Sequence, residues 1–114
     1  MRNNDKLHIL WTNADEQTTQ LMVMMYATNA KVKLWWKDVL VIIWGATAKL
    51  AADNDTIQQH ILMAQNVGVQ FSACEACARQ LGVIEQLRAL NIEVRYWGEP
   101  LTEILKNGAP LLTI

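Results

Sequence analysis

Cys74 and Cys77 are the chain's two cysteines and stand three residues apart, so the first question is what a Cys-x-x-Cys pair does. A thiolate is a strong nucleophile, but a free thiol has a pKa of about 8.5 and is only about 3% ionised at neutral pH. A drop of about two units would make the anion the majority form. Cys74 directly follows Val69-Gln70-Phe71-Ser72-Ala73, which reads as a strand, and precedes a short helix from Ala76 to Leu81. At a strand-to-helix junction, unpaired backbone N–H groups and the helix dipole favour an anion. Glu75 opposes that effect, and Lys49 and Arg79 are the cations available to offset it. Cys77 is spaced to resolve a mixed disulfide or persulfide on Cys74. The alternative is that both are small core residues. A structural zinc site needs two more ligands. His8 lies in a strand and His60 in a helix, so they form no second ligand pair and no metal is expected. His60 reads as a partly exposed helix residue, and His8 as a strand residue with a satisfied hydrogen bond.

The elements that must position these thiols follow from the apolar pattern. Lys6 to Trp11 reads as a strand running into Thr12-Asn13, and Asp15 and Glu16 begin a helix that continues towards Asn29. Its Leu21 to Tyr26 stretch is apolar around most of its circumference, which calls for a second covering surface. Lys31 to Asp38 is mixed and holds Trp35 and Trp36. Val39 to Trp44 is a continuous β-branched run closed by Gly45, as in a central parallel strand. Thr47 to Ala52 is helical, and Asn54 or Asp55 caps a further helix that ends before Gly68. A helix from Val83 to Leu90 follows the cysteines and stops at Asn91. Ile92 to Trp97 alternates as a fourth strand, Pro100 starts a helix running to Lys106, and Pro110 to Ile114 is a fifth strand. Strand and helix therefore alternate, predicting one α/β domain over 1–114, three-layered and flavodoxin-like, with a mainly parallel five-stranded sheet.

Ligands of such sheets bind beyond the carboxyl ends of the strands. That rim comprises Thr12 and Asn13, then Trp44 to Thr47, Cys74 to Cys77, and Trp97 to Glu99. Asn13, Gly45, Thr47 and Gly98 are expected to supply pocket donors, with Trp44 and Trp97 limiting water. The rim has neither the Gly-x-Gly-x-x-Gly nor the Gly-Lys-Ser/Thr pattern, so no nucleotide cofactor is expected. With 52% apolar residues and a net charge of −1 over 114 residues, the chain suits a folded domain, not a charge-driven nucleic-acid or anionic-membrane binder. Its longest apolar runs, Leu21 to Ala27 and Val39 to Trp44, are too short to span a bilayer. The start, Met1 to Asp5, has no apolar leader core, and two cysteines are few for a disulfide-stapled domain, so a cytoplasmic location is expected. The methionine-rich helix, with Trp35 and Trp36, leaves surplus apolar surface that suits a homo-oligomer.

Taken together, the opening strand into Thr12-Asn13, the run Ile42-Ile43-Trp44-Gly45-Ala46-Thr47-Ala48-Lys49-Leu50, the pair Gly68-Val69, Ala73-Cys74-Glu75-Ala76-Cys77, Leu81-Gly82-Val83 and the closing Gly98-Glu99-Pro100-Leu101 form a pattern covering nearly the whole chain. In that pattern it resembles the DsrE/DsrF-like family of small sulfur-relay proteins. The resemblance implies a flavodoxin-type domain that assembles as a trimer or hexamer and exchanges sulfur with donor and acceptor proteins. It also implies a persulfide on the cysteine that follows the third strand, by position Cys74. Cys77 is not required for that role and adds disulfide chemistry or nothing. The expectation is a sulfur carrier or sulfurtransferase in which Cys74 accepts sulfane sulfur and passes it to a thiol. The alternatives are Cys74/Cys77 thiol–disulfide exchange and a non-catalytic oligomeric module that binds a small ligand.

Overall fold

Strand β1 (Lys6–Trp11) alternates as its sequence does, with Leu7, Ile9 and Trp11 buried on one face and His8 and Leu10 half-buried on the other. The structure is a computed structural model and describes residues 5–114. Of the Met1 to Asp5 start, read as lacking an apolar leader core, Met1 to Asn4 lie outside the described residues. Asp15 caps α1 (Glu16–Thr18), its carboxylate accepting from the Thr18 backbone N–H at 2.9 Å. The helix then widens into a π-helical stretch, Thr19–Met24, before continuing as α2 (Met25–Val32). The wide turn sends Thr19, Val23 and Met24 inward, while Leu21, Met22 and Met25 stay exposed. No second surface covers this outer side among the described residues.

The central strand β2 (Asp38–Ile43) is buried on both faces from Val39 onward. It leads through Gly45 to α3 (Ala46–Asp53) and then α4 (Asp55–Asn66). Asn54, not Asp55, is the cap of α4, its side-chain oxygen accepting from the Ile57 N–H at 2.9 Å. Next come β3 (Gln70–Cys74), α5 (Glu75–Leu81) and α6 (Ile84–Ala89), with Gly82 ending α5 in the left-handed conformation at φ 70°. The fourth strand, β4 (Glu93–Arg95), is shorter than the alternation from Ile92 to Trp97 suggests. Its partner β3 ends at Cys74, opposite Arg95, and turns into α5, so Tyr96 and Trp97 have no ladder to join. The chain instead enters α7 (Gly98–Lys106) two residues ahead of Pro100, which sits in the first turn where a missing N–H does no harm. β5 (Leu111–Thr113) completes the sheet.

All pairings are parallel and the order is β4-β3-β2-β1-β5. The result is a three-layer, flavodoxin-like α/β domain. Strands β1 to β4 step in one direction, so right-handed crossovers put every helix between them on one face. The return from β4 to β5 runs the other way and puts α7 on the opposite face. Packing follows this division. The large core joins Leu7, Ile9, Trp11, Val41 and Phe71 to residues of the π-helical stretch and of α2 to α6, including Val23, Ala51, Ile61 and Leu87. A smaller cluster on the α7 side holds Leu40, Ile42, Cys74 and Trp97, flanked by Leu10, Trp44, Cys77 and Ile104. No helix among the described residues is long and apolar enough to cross a membrane.

The Asn54 cap gives a direct check on the α3–α4 junction. Asn54→Ala is expected to lower unfolding free energy by about 1 kcal/mol in denaturant titration. An unchanged midpoint would show that the cap contributes nothing.

Candidate thiol site

Alternation along β3 decides where the first sulfur goes. Phe71 and Ala73 join the large core, while Ser72 and Cys74, two residues apart, share the face towards α7. Cys74 is both the end of β3 and the N-cap residue of α5, yet its side chain makes no capping hydrogen bond. It turns instead into the cluster with Ile42 and Trp97 and is only 4% exposed. Cys77 lies one helical turn further and is half-buried. Both thiols are free, and Cys77 donates to the Cys74 sulfur at 3.2 Å. A disulfide needs about 2.05 Å, so closing the bond takes roughly a further 1 Å of approach.

Cys74, at the junction expected to hold the nucleophile, is therefore sealed, and the thiol that reaches solvent is Cys77. Trp97, in the cluster that encloses Cys74, is itself 4% exposed, and its indole N–H donates to Ser72 Oγ at 2.8 Å. Removing a buried side chain of this size typically costs about 3–5 kcal/mol. Attack from outside thus meets Cys77 first. Burial pushes the Cys77 thiol above its ordinary range, and its hydrogen bond to Cys74 adds to the shift. The Gly45 backbone N–H acts the other way and only partly offsets it. Both cations considered for the thiol are engaged elsewhere: Arg79 pairs with Glu75 at 2.6 Å and Lys49 with Asp53 at 3.2 Å. Arg79 thereby neutralises the acid that follows Cys74.

Of the expected pocket residues, Trp44, Gly45 and Trp97 gather around the thiols. Gly45 holds φ 69° and ψ −132°, a conformation that side chains other than glycine's rarely adopt. Thr47 does not offer a donor to a ligand. It is fully buried, and its hydroxyl donates to the Trp11 carbonyl at 2.8 Å and the Trp44 carbonyl at 3.0 Å, tying β1 to the β2–α3 turn. Asn13 is likewise occupied, its side-chain oxygen accepting from the Asp15 N–H and its carbonyl from the Trp11 indole. Gly98 is exposed in the first turn of α7, and its carbonyl accepts from Thr102 Oγ1. Ser72 was missed although its spacing from Cys74 places both on one face. It continues the chain of hydrogen bonds by donating to Glu93 Oε1 at 2.8 Å. His8 departs from expectation: its buried Nδ1 has no partner, and burial, then Lys6, lowers its pKa. Among the described residues no three His, Cys, Asp or Glu side chains stand together in a way that could hold a metal ion.

The fold of the whole chain recurs in a solved structure, the conserved protein of unknown function BT1422 from Bacteroides thetaiotaomicron. The two are 45% identical over 97% of this chain and 96% of that one, with a TM-score of 0.95. The chain belongs to the BT1422 family. The E. coli protein ychN shares the fold at 15% identity, covering 96% of this chain and 99% of that chain with a TM-score of 0.71. No family model and no curated protein matches the sequence.

The unequal thiols give an ordered labelling pattern. Iodoacetamide should modify Cys77 before Cys74, as read by peptide mass mapping. Because the Cys77 pKa is raised, its rate should be low at neutral pH and keep climbing above the ordinary thiol range. Labelling of Cys74 first, or a rate that levels off near neutrality, would contradict the geometry.

Proposed function

We propose that the protein is a sulfur-relay protein, a carrier or sulfurtransferase, whose reactive element is the Cys74–Cys77 pair, with Cys77 as the point of attack. The observation that carries this reading is the 3.2 Å separation of two free thiols, one half-buried and one sealed. The DsrE/DsrF-like sequence pattern and the fold shared with ychN, a DsrE-like protein, support sulfur as the cargo. In the first step the Cys77 thiolate attacks the sulfane sulfur of a donor R–S–SH, giving Cys77–S–SH and releasing R–S⁻. An acceptor thiolate then removes that sulfur and returns Cys77 as thiolate. If Cys74 loses its proton to solvent first, it attacks the inner sulfur, forming the Cys74–Cys77 disulfide and releasing HS⁻. An external dithiol then restores the pair.

The test uses the full chain, inorganic polysulfide and alkylation before intact-mass and peptide analysis. Cys74→Ser should accumulate a one-sulfur adduct on Cys77, whereas the unsubstituted protein should show less adduct, more disulfide and free sulfide. An adduct on Cys74 in Cys77→Ser, with none on Cys77 in Cys74→Ser, would move the carrier role to Cys74, and no adduct in any variant would remove the sulfur-relay reading. The short sulfur–sulfur distance also favours a second reading, plain dithiol–disulfide exchange. That reading gains if the pair oxidises reversibly in a thiol redox buffer and Cys74→Ser takes up no sulfur.

We also propose that copies of the chain associate through the uncovered side of the first helix and the turn that follows it. Leu21 is 64% exposed, Met25 50%, Leu34 75% and Trp35 53%. Covering a large apolar side chain is worth about 1.5–3 kcal/mol. Sedimentation should show an oligomer, trimer or hexamer, that Met25→Glu shifts towards monomer; a monomeric unsubstituted protein would refute the proposal.

A further inference from the structure

The second face of the sheet is unevenly covered, because the nine-residue α7 must serve five strands. Beside α7 it leaves a groove of about 810 Å³ whose floor includes His8, Leu40, Gln70 and Ser72. That volume lies in the range of small-molecule sites, about 300–1,000 Å³. Trp97 forms part of its wall, so the groove adjoins the cluster around Cys74, although neither cysteine lines it.

The groove is polar and its charges are uncommitted. Lys6, Glu93, Arg95 and Glu103 all line it. The ion pairs among the described residues join Lys49 to Asp53, Arg79 to Glu75 and Arg88 to Glu85, so none of these four charges is paired there. Two of them are nonetheless held in place. The Arg95 guanidinium lies over the Trp97 ring, 5.1 Å from its centroid, and one Glu93 oxygen accepts from Ser72 at 2.8 Å. A stacked guanidinium keeps its planar fork free for a carboxylate. A simple anion would meet two carboxylates here and a polyamine would meet two cations, whereas a dipolar ligand satisfies both signs. The volume exceeds the needs of a single free amino acid.

We propose that this groove binds a short zwitterionic peptide, with Arg95 receiving its carboxylate and Glu103 its ammonium group. The proposal stands apart from the thiol chemistry and does not require it. The test titrates the full-length protein with trialanine, monitored by calorimetry and by the Trp97 indole N–H resonance. N-acetyl-trialanine amide, succinate and putrescine serve as controls. Trialanine should bind and shift the indole signal, while all three controls bind at least about tenfold more weakly. Arg95→Gln and Glu103→Gln, both at exposed positions, should each weaken trialanine about tenfold without changing the melting temperature. The proposal is overturned if trialanine does not bind, if the capped peptide binds equally well, or if both variants bind like the unsubstituted protein.

Discussion

One short helix facing a five-stranded sheet is the constraint from which the site follows. Strands β1 to β4 advance in one direction, so their crossover helices crowd one face and build the large core. Only the return to β5 crosses the other face. A crossover helix runs along the strands and covers a width of about 10–12 Å, less than the width of five strands spaced about 4.8 Å apart. Trp97, at the start of α7, supplies the bulk that closes the upper part of this face over Ile42 and Cys74. Its indole N–H, bonded to Ser72, holds it there, since an unsatisfied buried donor would be costly. The lower part stays open and polar.

That partial cover explains the inequality of the two thiols. Cys74 belongs to a strand and inherits the direction of its alternation, inward under the α7 layer. Cys77 belongs to α5, and one turn of helix carries it back over the same sulfur but nearer to solvent. The pair is close because three residues span almost one turn. It is unequal because one member answers to the sheet and the other to the helix. The raised pKa of Cys77 fits the same picture: the sulfur is partly desolvated and its proton is shared towards Cys74. At rest Cys77 is a thiol, not a standing thiolate.

Much of this fold is legible in local chemistry. Gly82 ends α5 in the left-handed conformation as its position after Leu81 suggests, and Asn54 caps α4. The limits of legibility have physical causes. The alternation from Ile92 to Trp97 is a strand pattern, but a strand is only as long as its partner, and β3 stops at Cys74. Thr47 has the composition of a ligand donor, yet its hydroxyl is consumed by two carbonyls, one from a strand 36 residues away in sequence. The apolar run from Leu21 to Tyr26 hides a π-helical turn, which divides its residues into inward and outward sets that an ordinary helix would not produce.

By itself, the sequence determined which segments are strands, that Ser72 and Cys74 share a face, and that Cys77 returns to Cys74 after one turn. These are consequences of periods of two and 3.6 residues, which act over a few neighbours. Which face of the sheet received nearly all the helices, and so which sulfur was sealed and which left open, was decided only by the tertiary structure. Burial depends on strand order and on the far-off residues that strand order brings into place, and no local period encodes that.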